Sequence, residues 1–363
     1  MTRFPRARGA RAEHRLRVAG VVVLAVVALA IPFFFGSFRV GQFTQAIALA
    51  VAVLGLNLLV GYSGQISLGH GAFFALGSYV SAILIVRADV PYLLTLPIAG
   101  AACFAAGLLF GLPALRLRGL YLALVTLGLA IATPQLIKRF DGLTGGTQGL
   151  SVPRPAAPAW TGLADDQFLY LLTLAGAVVM FALAVGLVRG SVGRALIVVR
   201  DNEIAAKTMG VNLATVKTRA FAVSSMYAGV GGALYMLPIG FVAPESFPLA
   251  LSFGFLAAIV VGGLATIAGA VFGALFIEFV PVYASDVDEA LAGVIYGTVL
   301  IAFMYALPGG VMGLVRRLWA RRPAAAPASR EQDAAEHGAA GSVSRGGARS
   351  EDVVQGIPGG SSR

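Results

Sequence analysis

The chain has 363 residues, 58% hydrophobic and only 12% charged, about half the share of roughly 25% usual in a soluble domain. Its formal net charge is +10, and it holds one cysteine, Cys103. These figures exclude a soluble globular domain, an internal disulfide framework and a cysteine-based metal site.

Apolar runs of about 20 residues recur along the chain, the length that crosses a hydrocarbon core of roughly 30 Å. The dyad alternation of a transmembrane barrel is absent. The expected fold is all-α: a polytopic membrane protein with about ten transmembrane helices and both termini cytoplasmic. An arm over residues 1–17 carries Arg3, Arg6, Arg8, Arg11, Arg15 and Arg17. The apolar run from Val18 to Phe35 lacks a small-residue cleavage site, which predicts an uncleaved first span.

The expected spans are 18–36, 43–61, 66–86, 92–113, 119–137, 167–188, 219–240, 249–263, 267–284 and 289–307. The eighth is short and glycine-rich, and reads as a half-membrane or broken helix as readily as a crossing, so nine crossings compete with ten. With the N-terminus inside, only Arg39, Arg87, Lys138, Arg139 and Arg154 of the 27 Lys and Arg fall outside, and the even count of ten fits. The basic excess therefore reads as membrane orientation, not as a nucleic-acid surface. The loop at 189–219 is short, basic and internal. Residues 138–166, rich in Gly and Pro, form the long external loop. The domains are then the basic arm 1–17, a transmembrane domain 18–315 with its loop at 189–218, and a tail 316–363. The tail has no apolar periodicity and is expected to be disordered.

One segment spends polar residues inside an apolar run. "GYSGQISLGHGAFFALGSY" (61–79) holds Gln65, Ser67 and His70, and Asn57 lies just before it. An unpaired polar group in hydrocarbon costs several kcal/mol, so these four imply an interhelical network or an aqueous path. His70 either locks two helices with one hydrogen bond or lines that path. With His14 and His337 in the tails, no metal site is expected. Small residues four apart, Gly71/Ala75, Gly77/Ser81, Gly107/Gly111 and Gly269/Gly273, predict close helix packing.

"RDNEIAAKTMG" (200–210) lies in the internal loop. Asp201 or Asn202 caps a short helix through Glu203–Met209, and Gly210 stops it. Glu203 and Lys207 are spaced as an i,i+4 pair, and Ile204, Ala205 and Met209 leave an apolar patch. So short a helix is not stable alone and must pack on something, either the membrane surface or another protein. Elsewhere, Tyr121 and Thr126 face the interior or anchor at the interface. "LTGGTQGL" (143–150) is a plain turn, an anion cradle or a docking loop. Glu278 is the one acidic residue inside a span, expected near the outer face beside Asp286, Asp288 and Glu289. No G-x-x-x-x-G-K-[ST], Ser-His-Asp set or H-E-x-x-H is present, so no catalytic residues are assigned.

"GLNLLVGYSGQISLGHGAFFALGSY" (55–79) resembles the hallmark of the LivM-type permease subunit of branched-chain amino-acid ABC importers. "EIAAKTMG" (203–210) resembles the EAA-type motif with which such permeases dock their ATPases. The resemblance covers most of residues 40–315. It implies that Arg200, Glu203, Ala205, Ala206 and Gly210 couple to the ATPase. The implied partners are a homologous LivH-type permease, two ABC ATPase subunits, an extracytoplasmic solute-binding protein and the lipid bilayer, with no nucleic acid. ATP and magnesium belong to the ATPases, and this chain needs no cofactor. The implied location is the bacterial inner membrane. Urea and short-chain amide permeases share a close variant of the motif and stand as an alternative. An ion-coupled secondary transporter is the alternative of another class, and it would need intramembrane carboxylates beyond Glu278.

Overall fold

The computed structural model describes residues 26–114 and 119–320. Packing divides the chain into Met1–Arg316 and Arg317–Arg363; of the second unit only residues 317–320 are described. The arm 1–17, the first half of the expected first span, Arg116, Arg118 and the tail from residue 321 lie outside the described residues.

The helices are α1 (residues 26–34), α2 (Ser37–Asn57), α3 (His70–Ala88), α4 (Tyr92–Ala114), α5 (Leu120–Arg139), α6 (Asp141–Thr144), α7 (Asp165–Arg189), α8 (Ser191–Asp201), α9 (Glu203–Thr208), α10 (Leu213–Ile239), α11 (Leu249–Gly262), α12 (Gly269–Val287), α13 (Ala292–Ala306) and α14 (Gly310–Ala320). Two short strands, β1 (Leu150–Ser151) and β2 (Phe241–Val242), pair antiparallel. Among the described residues nine segments are long and apolar enough to cross a membrane, from Ser37–Tyr62 to Ala292–Arg317. The fold is all-α and polytopic.

Helices α2 and α10 form the axis. The protein buries 78% of the apolar window of the α2 span and 83% of that of α10, against 6% for the span starting at Ala292. Helices buried all round need no amphipathic stripe, and their Ala, Val, Leu and Gly content reflects that. Helix α3 crosses α10 in close backbone contact. A Cβ on Gly77 would overlap the backbone of Gly229, so no other residue permits this approach. Ser78 Oγ seals the crossing by donating to Gly232 O at 2.8 Å.

Bonds between distant segments sort the loops into two groups, one at each end of the bundle. At one end Arg200 meets Gly61, Lys217 meets Glu203, and Asn57 meets Ala265 and Thr266. At the other, Arg87 meets Gly142, Lys138 meets Glu245, and β1 meets β2. Helix α2 runs from the second end to the first; with its extension to Tyr62 it covers 26 residues, about 39 Å at 1.5 Å per residue.

Element boundaries depart from the expected spans where polar residues are satisfied locally. Helix α10 starts at Leu213, not 219, because Asn212 Oδ1 accepts from Thr215 N at 3.1 Å and Lys217 and Arg219 ride on its first turns. Helix α3 starts at His70, not 66, since residues 64–69 are not helical. The eighth segment, α11, has only 14 residues, and with the turn Pro244–Ser246 it reaches 19. Glu278 does not lie with the exposed Asp286, Asp288 and Glu289: it is half-buried in mid-α12, eight residues or about 12 Å further in.

Candidate functional site

The polar glycine stretch occupies the α9 end of the bundle. Helix α2 loosens into a π-turn over Leu58–Tyr62 and then breaks, with Gly64 at φ +71°. The chain between Ser63 and Gly69 is held by side chains: Ser63 Oγ donates to Leu59 O at 2.7 Å, and Thr126 Oγ1 on α5 accepts from Leu68 N at 2.9 Å. Gly71 N donates to Ser252 Oγ on α11 at 3.1 Å.

The four polar residues of this region are all buried, and each has its own partners. Asn57 is fully buried and acts as a clamp. Its Nδ2 donates to Thr266 O at 2.7 Å, and its Oδ1 accepts from Ala265 N at 2.9 Å. One amide thus satisfies two backbone groups in the break between α11 and α12, where Ala265 holds a left-handed φ of 55°. Gln65 Nε2 donates to Ser63 Oγ at 2.9 Å and to Lys217 O on α10 at 3.3 Å. Ser67 Oγ accepts from Gly69 N at 3.4 Å. His70 Nε2 lies 2.7 Å from Ala52 O on α2, and its ring sits edge-on to Phe255 with centroids 5.4 Å apart. These residues are neighbours along the chain, but no hydrogen bond joins Asn57, Gln65, Ser67 or His70 to another of the four.

At the same end α8 and α9 form a knob between α7 and α10. Asn202, not Asp201, caps α9, with Oδ1 accepting from Ile204 N and Ala205 N, both at 3.0 Å. Gly210, at φ +81°, ends it: Gly210 N donates to Lys207 O and Val211 N to Ala206 O. Ala206 is fully buried and Ala205 half-buried, while Ile204 and Met209 are 79% and 66% exposed.

Glu203 does not pair with Lys207. It takes Lys217 of α10 at 2.5 Å, because the αL residue Gly210 folds the chain back and brings the first turns of α10 beside α9. Arg200 is held by Asp201 at 2.9 Å and donates through Nη1 to Gly61 O at 2.8 Å. Arg200 and Glu203 therefore face inward onto spans, and Ile204 and Met209 point away. Thr126 is buried, the interior placement expected of it, whereas Tyr121 is exposed; Gly61, Lys217 and Ser252 are not marked as site residues by their spacing, since each takes its role from a segment far along the chain.

A bundle of nine apolar spans among the described residues, with polar breaks and one protruding knob, is a multi-pass membrane protein. Residues 38–304 match the family model described as branched-chain amino acid transport system / permease component, and the chain belongs to that family. It is 34% identical over 319 residues to the high-affinity branched-chain amino acid transport system permease protein LivM of Escherichia coli (strain K12), covering 82% of this chain and 75% of that protein. It is 25% identical over 280 residues to the corresponding LivH protein of Salmonella typhimurium, covering 73% and 91%, and 24% identical over 282 residues to BraD of Pseudomonas aeruginosa, covering 73% and 91%. No solved structure matches the chain.

Proposed function

We propose that the chain is the LivM-type membrane subunit of an inner-membrane ABC importer for branched-chain amino acids, paired with a LivH-type permease. Separate ATPase subunits supply ATP hydrolysis and bind the ATP and magnesium, and an extracytoplasmic binding protein delivers the cargo. The α9 end then faces the cytoplasm, in keeping with the basic residues of 189–219, and the β1–β2 end faces outward.

The observation that carries this reading is the two-faced build of α8–α9. Its outer face offers Ile204 and Met209, apolar and unpacked. Its inner face is tied through Glu203 to α10 and through Arg200 to the end of α2, the two axial helices. A knob seated in an ATPase groove and bonded to both axial helices passes a displacement directly to them. The chain supplies geometry and a path, not bond chemistry.

The closest competitor, an importer of urea or short-chain amides, shares this machinery and differs in cargo. Energised vesicles carrying the full complex test both: ATP-dependent uptake of leucine, isoleucine and valine is expected, with urea and acetamide not taken up. Uptake driven by an ion gradient without ATP would overturn the reading.

A further inference from the structure

The end of the bundle remote from α9 holds a cavity of about 320 Å³. It lies between the first turns of α2 and α7, the last turn of α10 at Pro238, and the external segment that carries Arg154. Two opposite charges line it without meeting: Arg154 and Asp166 form no ion pair. Arg154 spends one N–H, Nη2, on Ile239 O at 3.1 Å, and its remaining donors have no protein acceptor among the described residues. Asp165 next door is already engaged, its Oδ1 accepting from Ala157 N at 2.7 Å, whereas Asp166 takes no protein donor among the described residues.

Gln42, only 7% exposed, lines the same cavity. Its Oε1 accepts from Arg39 at 3.3 Å, and its Nε2 finds no protein acceptor among the described residues. Gln42 Nε2 is not sealed from solvent, so its N–H stays open to a ligand that enters the cavity. Leu169, Phe38 and Pro238 supply an apolar wall. The volume is at the lower end of the range of roughly 300–1,000 Å³ typical of small-molecule sites.

A ligand that satisfies this lining must carry a carboxylate-like anion, an ammonium and a compact apolar body. We infer that the cavity is a reception site for a free aliphatic α-amino acid in its zwitterionic form. The Arg154 fork takes the carboxylate with Gln42 Nε2, Asp166 takes the ammonium, and Leu169 and Phe38 flank the side chain. The site sits where cargo would arrive from outside. The inference rests on the transport reading for its choice of ligand. A phosphatidylethanolamine headgroup presents a similar pair of charges, and the test separates the two.

The sole cysteine, Cys103, is buried, so a new thiol at the cavity wall is a clean reporter. The full complex carrying Gln45→Cys, in nanodiscs free of phosphatidylethanolamine, is labelled with a maleimide, with and without L-leucine. Labelling should slow about tenfold when leucine exceeds its Kd about tenfold. Isocaproate and isoamylamine, each with one of the two charges, should protect far less. Adding Arg154→Gln or Asp166→Asn should abolish protection by leucine, with an unchanged thermal unfolding midpoint showing that the chain is folded.

Unchanged labelling with leucine, or equal protection in both charge variants, overturns the site. Protection that appears only on adding phosphatidylethanolamine assigns it to a lipid headgroup and also overturns it. ATP-driven leucine uptake by the parent complex is measured alongside. Uptake without protection removes this site and leaves the transport reading standing; protection without uptake keeps the amino-acid site and removes the reading.

Discussion

Arg200 donates its Nη1 to the carbonyl of Gly61 across 2.8 Å, joining the helix before the knob to the π-turn that ends α2. Gly61 in turn lies so near Asn57 Oδ1 and Ala265 N that a side chain there would overlap both. A continuous line of contact runs from α8 through α2 to the α11–α12 break. Replacing Arg200 with Gln should cut ATP-driven uptake several-fold while the ATPase still co-purifies. Charge-assisted hydrogen bonds contribute about 1.5–3 kcal/mol, enough to bias a two-state switch. Loss of ATPase binding instead would place Arg200 in the docking surface.

Asn57→Leu strands both Ala265 N and Thr266 O inside the bundle. Each unsatisfied group costs about 1–3 kcal/mol, so the unfolding midpoint in detergent should fall clearly. His70→Leu removes a single bond, worth about 0.5–1.5 kcal/mol, and should lower it less. A larger loss from His70→Leu than from Asn57→Leu would contradict this assignment of partners.

Gly77→Val inserts a branched side chain against the Gly229 backbone at the α3–α10 crossing. Overpacking costs about 1–3 kcal/mol where neighbours can yield, and backbone cannot. Folded yield by fluorescence-detected size exclusion should collapse, whereas Gly128→Val, whose Cβ meets nothing within 4 Å, should behave as the parent.

Glu203 and Lys217 should show coupling in a double-mutant cycle. Lys217 is 16% exposed and Glu203 37%, so the pair is worth about 0.2–1 kcal/mol after solvent screening. Glu203→Lys alone should weaken ATPase co-purification, and adding Lys217→Glu should restore much of it. Failure of the reversed pair to rescue would show that Glu203 contacts the ATPase itself.

Much of the architecture is legible in composition and spacing. Runs near 20 residues mark crossings because the hydrocarbon thickness sets their length, and Gly210 marks the end of α9 because a left-handed residue is needed there. The start of α10 was hidden by Lys217 and Arg219, whose charges look like loop until Glu203 and Asn212 are placed beside them. Spacing also suggested the wrong partner for Glu203: the local i,i+4 rule yields when a turn brings a better-buried lysine alongside.

The sequence alone determined that this chain lives in a bilayer, where its helices begin and end to within several residues, and which two stretches are unusual. It did so because burial in lipid and local turn chemistry act on neighbours along the chain. Only the tertiary structure decided what the unusual residues touch: Asn57 with a loop 208 residues away, Arg200 with Gly61, and Arg154 and Asp166 on one cavity. Hydrogen bonds and ion pairs reach only about 3 Å, so their partners are set by how the helices cross, and no periodicity within one helix records that.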